Sequence, residues 1–370
     1  MLLFNPGPVS ITERVRRSLL RPDLCHREPE FFDLQDKAHT HLLGIYDADP
    51  SVWSPVLLSG SGTAAVESMV ASLVPKHGKI LILENGAFGQ RIAQIAGHYN
   101  IAHEVVRHHW LESLDLLRIA ERLEENREFS HVALVHHETS TGRLNNIAAI
   151  SNLCRQFGVR LLVDCVSSFG AEHIDFSDEN IDAVAASSNK CVQGVPGVSF
   201  VIVRKEALSQ ASSRTFYLDL VQAALLQGQR NTRFTPAVHA CYALVEALVE
   251  LKEEGGWRAR HHRYAACSGR LHAGLTSNRI YSAIPPDESS VAMNAYYVPP
   301  DMPFAHLHDF LKARGFLIYN TAIPQLEPLF RVAVMGKIRF PDVNRLLLAF
   351  DELMLTQEVE AGACNGSAQT

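Results

Sequence analysis

Val56-Leu57-Leu58-Ser59-Gly60-Ser61-Gly62-Thr63 is the stretch on which the fold turns. Three apolar residues end on a run of Ser and Gly. From Thr63 to Leu73, small and apolar residues recur at helical spacing. Strand, glycine turn, helix is the unit from which parallel sheets are built. Similar apolar runs follow at Lys79–Leu83, His131–Val135, Arg160–Asp164, Asp182–Ser187 and Ser199–Val203, with a helical pattern over Asn146–Phe157. Nearly continuous apolar strands imply burial on both faces, as in a sheet covered by helices. An α/β fold is expected.

After residue 205 the texture changes. Thr235-Pro236 opens a helical stretch through Glu254, stopped by Gly255-Gly256. A second helix is expected from Trp257 to Leu275. Strand patterns follow at Val291–Val298, Phe316–Tyr319 and Leu329–Val334, with helices at Pro303–Arg314 and Pro341–Leu355. This predicts a large domain over residues 15–256 and a smaller α+β domain over 257–358, which residues 1–14 join. Residues 359–370 read as a flexible tail.

Composition narrows the function classes. The 370 residues suffice for two domains at about 150 residues each. Lys+Arg is 34 against Asp+Glu 40, a net charge of -6, so no nucleic-acid partner is expected. The seven cysteines are scattered and form no C-x-x-C pair, which argues against a disulfide framework or a zinc ribbon. No metal is expected. The histidine pairs at 108–109, 136–137 and 261–262 read as surface or packing residues. The apolar start Met1-Leu2-Leu3-Phe4 is too short for a signal peptide. No run of about 18 apolar residues offers a membrane span. A cytoplasmic protein is expected.

Three places carry chemistry. Ser59-Gly60-Ser61-Gly62-Thr63 joins a strand to a helix N-terminus, whose free N–H groups suit a phosphate. The bland reading is an ordinary capped turn. Asp164 ends an apolar strand, where a parallel sheet faces its ligand crevice. The bland reading is a helix cap. Lys190 follows another buried strand and precedes a Gly/Pro turn. Apolar surroundings would free its amine for nucleophilic work, unless it is a surface lysine. Taken together, the three suit pyridoxal phosphate. Lys190 would hold it covalently, Asp164 would pair with its pyridinium nitrogen, and the cup of Ser61, Gly62 and Thr63 would take its phosphate.

The segments that carry this chemistry resemble those of the class V aminotransferases of fold type I. Asn5-Pro6-Gly7-Pro8, Asn85-Gly86-Ala87-Phe88-Gly89 and His136-His137-Glu138-Thr139-Ser140-Thr141-Gly142 belong to the match. So do Val163-Asp164-Cys165-Val166-Ser167-Ser168 and Asn189-Lys190-Cys191-Val192-Gln193-Gly194-Val195-Pro196-Gly197. Within the class, the chain is most similar to the branch that moves an amino group from 2-aminoethylphosphonate to pyruvate. The resemblance implies a mainly parallel seven-stranded sheet between helices, with a smaller α+β C-terminal domain. It implies pyridoxal 5'-phosphate as cofactor and small anions as substrates. Phe88 would stack on the cofactor ring and Thr139 would reach its phenolic oxygen. Thr235 would reach the phosphate of the neighbouring subunit, which implies a homodimer with shared sites. Arg331, inside the apolar strand, would grip the substrate's anionic group. The N-terminal segment is expected to cross to the site.

Departures lie near the substrate end. Cys25-His26-Arg27-Glu28-Pro29-Glu30-Phe31 resembles other class V members and offers Arg27 as a second anion contact. Asn320-Thr321-Ala322 replaces a Pro-Gly-Lys. These keep open an alanine–glyoxylate or serine–pyruvate type of transaminase. A non-catalytic protein that retains the fold is the remaining alternative.

Overall fold

The computed structural model describes residues 1–300, 302–321 and 328–366, with side chains at 1–300, 302–320 and 328–356. Seven strands form the central sheet. Their spatial order is Trp53–Gly60, Gly197–Arg204, Ile181–Ser187, Arg160–Asp164, Phe129–Val135, Lys79–Glu84 and Ala102–Arg107. Only Gly197–Arg204 runs against its neighbours. The expected mainly parallel sheet is therefore present. The apolar runs account for six of its strands. The seventh, Ala102–Arg107, is a half-exposed edge whose polar residues hide it. Ile181–Ser187 is buried at every position, as its apolar run requires.

Helices cover both faces. Gly62–Leu73 is the expected first crossover helix, and it packs across the Ile181–Ser187 and Gly197–Arg204 strands. Its apolar side builds one core layer with Val56, Ile80, Ala133 and Leu162. The opposite layer holds Leu81, Val132, Leu161 and Phe200 with the Val238–Glu253 helix. Successive strand side chains thus feed both layers.

Gly255-Gly256 separates the Val238–Glu253 helix from Gly256–Ser277. Beyond it lies a three-stranded antiparallel sheet, ordered Met293–Tyr297, Leu329–Ala333, Tyr319–Thr321. The single strand expected over Phe316–Tyr319 is in fact two pieces. Phe316–Leu317 pairs in parallel with Leu2–Leu3, and Tyr319–Thr321 pairs with Leu329–Ala333. Ile318, fully buried, marks the switch between partners. The last helix, expected to end at Leu355, runs Phe340–Gly366. Of the expected tail, residues 367–370 lie outside the described residues, as does Ala322 of the Asn320-Thr321-Ala322 departure.

The N-terminal segment is tied to this C-terminal layer. Ala333 N donates to Phe4 O at 2.7 Å and Lys337 N to Ser10 O at 2.8 Å. Between those anchors the chain crosses toward the central sheet. Glu172 makes a second tie between the layers. Its buried carboxylate accepts from Ser290 Oγ at 2.5 Å and Val291 N at 2.9 Å, with His261 Nδ1 at 3.3 Å. Removing it strands three polar partners. Glu172→Ala is expected to cost about 3–5 kcal/mol in urea unfolding, and a loss below about 1 kcal/mol would show the tie to be incidental.

Candidate active site

The parallel strands end on one edge of the sheet, and the chemistry gathers there. Gly60 leads to Ser61, Glu84 to Phe88, Val135 to Glu138, and Ser187 to Lys190, while Asp164 is itself a last residue. A cavity of about 320 Å³ opens at this edge. Ser61, Gly62, Thr63, Phe88, Asp164 and Lys190 line it, together with Gly7, Arg91 and His137. Six sequence-derived candidates thus share one cavity.

The cup is a helix start with uncommitted donors. Ser61 is the N-cap residue, yet its side chain makes no capping hydrogen bond. Gly62 permits a close wall: a Cβ there would lie 2.5 Å from Val166 Cγ1. Opposite, Lys190 Nζ donates to the Pro6 carbonyl. Gly7, at φ +132°, allows this approach, since a Cβ would lie 2.7 Å from Lys190 Cδ. The expected crossing of the N-terminal segment is therefore observed.

Burial shifts both titrating groups toward neutrality. It pulls the Lys190 amine down to about 8, helped by the nearby positive charge of Arg331. It pushes the Asp164 carboxyl up to about 7, although Val166 N donates to Oδ1 at 2.9 Å. Nearby Glu138 adds to that rise.

Thr139 and Arg331 stand together outside the cavity lining. The Thr139 hydroxyl is buried and has no hydrogen-bond partner among the described residues. The Thr139 carbonyl accepts from Arg331 Nη1 at 2.9 Å, and Arg331 Nη2 donates to Asn320 O at 2.9 Å. Arg331 is the middle residue of its strand. Its described hydrogen-bond partners are neutral carbonyls, and burial disfavours its charge.

Thr235 and Arg27 are not brought to this cavity. Thr235 lines a separate groove with Tyr217, Arg233 and Phe234. Arg27 is exposed and donates to Asn231 Oδ1 at 3.1 Å, beside the same loop.

Three site residues escaped the sequence reading. Glu138 is fully buried and accepts from Phe88 N at 3.1 Å and Gly89 N at 3.2 Å, at the start of the Ala87–His98 helix. Its place beside Thr139 was the available signal. Arg91 lies one turn beyond Phe88, a helical neighbour spacing. His137, read as a packing residue, is indeed buried but also lines the cavity. Its Nδ1 lies 3.2 Å from Ser167 O, and burial lowers its pKa to about 4, so the ring is neutral. No sequence pattern marks it.

A pyridoxal phosphate fits these donors. The cup supplies N–H and O–H groups for an anion, and the Asp164 carboxylate is costly without a cation such as a pyridinium. Lys190 has a near-neutral amine, and the Thr139 hydroxyl lacks a partner. Among the described residues no His/Cys/Asp/Glu group suits a metal.

Comparison with known proteins agrees. The family described as Aminotransferase class-V matches residues 51–313. A 2-aminoethylphosphonate–pyruvate transaminase of Vibrio vulnificus (strain YJ016) is 36% identical over 363 residues, covering 96% of this chain and 98% of its own. One from Bacillus cereus is 34% identical, covering 94% and 96%. Among solved structures, an alanine–glyoxylate aminotransferase from Nostoc sp. matches with a TM-score of 0.88 at 25% identity, over 95% of both chains.

The lowered Lys190 pKa has a direct readout. Acylation of the apoprotein by an amine-directed reagent, read by peptide mass spectrometry, is expected to rise at Lys190 through pH 8. Below that pH the amine is protonated and unreactive. A midpoint near the ordinary lysine value of 10.5 would contradict the burial argument.

Proposed function

The chain belongs to the class V aminotransferases, and from that premise we propose that it moves the amino group of 2-aminoethylphosphonate to pyruvate. The products are phosphonoacetaldehyde and alanine, formed reversibly in two half-reactions. Pyridoxal phosphate, when bound, supplies an electron sink and a temporary carrier for the amino group.

The residues divide the work. Ser61, Gly62, Thr63 and the helix N-terminus bind the phosphate. Asp164 keeps the ring nitrogen protonated, and Phe88 walls the ring. The Thr139 hydroxyl is available for the phenolic oxygen. Lys190 anchors the cofactor. Its Nζ, when free, would take the proton from the carbon bearing nitrogen and deliver it to the acceptor carbon. A nitrogen with a pKa near 8 does both at neutral pH.

Arg331 carries the substrate reading. A largely buried guanidinium bonded to carbonyls retains positive charge for an anion, and its planar fork suits carboxylate or phosphonate oxygens. The names of the relatives support the aminophosphonate over other donors.

A homodimer is part of the proposal. Phe216 is 78% exposed and Tyr217 52%, and Tyr217 stacks on Phe234 with centroids 5.0 Å apart. A second copy covering this face would receive Thr235 at its phosphate and Arg27 near its substrate. Among the described residues no helix is long and apolar enough to cross a membrane. The proposed setting is cytoplasmic.

The deciding experiment is a donor screen with pyruvate as acceptor. 2-Aminoethylphosphonate is expected to outperform serine and alanine by kcat/KM, and preference for either would favour the related transaminases instead. Lys190→Ala is expected to abolish turnover and the visible absorbance of the bound cofactor. Arg331→Ala is expected to raise the KM for pyruvate by about tenfold or more, with cofactor affinity little changed. An unchanged KM would remove Arg331 from the substrate site.

A further inference from the structure

We propose that Arg91 is a positioning residue for the cofactor phosphate, acting through Thr63. This rests on the reading of Ser61–Thr63 as the phosphate cup. That cup consists of neutral donors: helix N–H groups and two hydroxyls. A phosphate ester approaches two negative charges at neutral pH. Bringing it out of water costs free energy unless a cation accompanies it.

Arg91 is placed to be that cation. It lines the cavity with the cup, Asp164 and Lys190. Its Nη1 donates to Thr63 Oγ1 at 3.3 Å, and its Cζ sits 4.8 Å from the Phe88 ring centroid. Among the described residues both of these direct partners are neutral, and the carboxyl that feels the guanidinium charge, Asp164, is one whose ionisation burial disfavours. The other two cations near the cavity have work elsewhere: Lys190 in amine chemistry and Arg331 at the substrate anion.

Two effects follow from this seat. By donating to Thr63 Oγ1, Arg91 occupies a lone pair of that oxygen and leaves the hydroxyl hydrogen for an acceptor in the cavity. Donor chains of this kind strengthen cooperatively where water is sparse. By lying over Phe88, the same guanidinium holds the aromatic wall in register with the cup. One side chain on the Ala87–His98 helix thus ties that helix to the start of Gly62–Leu73.

The test compares pyridoxal phosphate with pyridoxal, which lacks the phosphate, in titrations of the purified apoprotein followed by fluorescence. Lys190 and Phe88 act on both ligands, whereas the charge of Arg91 acts on the phosphate. Arg91→Gln is expected to weaken pyridoxal phosphate by about tenfold or more, with pyridoxal changed by less than about threefold. Arg91→Lys, which keeps the charge, is expected to regain part of the phosphate preference. Equal loss of both ligands in both variants, or no loss in either, overturns the proposal. Thr63→Val separates the two readings. If it too leaves the phosphate preference intact, the cup itself fails. If it lowers that preference while Arg91→Gln does not, the cup stands and Arg91 falls.

Discussion

Desolvation at the carboxyl edge of the central sheet is the constraint from which the site follows. Asp164 ends one strand, and Lys190 comes three residues after the end of the adjacent strand, Ile181–Ser187. Burial moves the amine down to about 8 and the carboxyl up to about 7. Both shifts favour the uncharged forms. The two groups therefore hold their protons within about one pH unit of each other, close to neutrality. Such a pair is costly to a fold, and it persists because a sheet buried on both faces leaves these strand ends nowhere else to go. A ligand with a basic ring nitrogen for Asp164 and an aldehyde for Lys190 relieves both costs at once.

Glu138 gives that edge its shape. Its carboxyl oxygens accept from the Phe88 and Gly89 amides, so they cap the free N–H groups at the start of the Ala87–His98 helix. Ser140 Oγ donates to the same carboxyl group at 2.5 Å. The next residue, Thr139, gives its carbonyl to Arg331. Phe88 on one side and Arg331 on the other are therefore referred to one tripeptide after the Phe129–Val135 strand. The Gly86 position shows how tight this is, since a Cβ there would lie 2.2 Å from Glu138 Cγ. Phe88 and Arg331 are 243 positions apart in the chain, and each is bonded to this one tripeptide.

Most of the fold was legible because its buried strands are apolar throughout. The Ala102–Arg107 edge was not, because an edge strand answers to water on one side and carries His103, Glu104 and Arg107. The division of Phe316–Tyr319 was equally hidden, because partner choice depends on residues 2–3, remote in sequence. At the site, Lys190, Asp164 and the cup were legible as strand-end features of a parallel sheet. Arg91 and Glu138 were not, because their roles come from the approach of three separate segments. Their residue types, a helical arginine and a glutamate before a threonine, are unremarkable in sequence.

The net charge of -6 described the surface and said nothing of the cavity. Around the cavity stand Arg91, Lys190 and Arg331, against Asp164 and Glu138, two carboxylates whose ionisation burial disfavours. Local potential is set by groups that low-dielectric walls do not screen, while exposed charges are damped by water and salt within about 10 Å. An acidic protein can therefore present a positive cavity. The two arginines lie on different elements, Arg91 beside the cup and Arg331 at the strand facing Thr139. On the proposed function, a phosphate and a second small anion are then held at once, each by its own guanidinium. That separation is what a transfer between two anionic substrates over an anionic cofactor demands, because one shared cation would make the ligands compete.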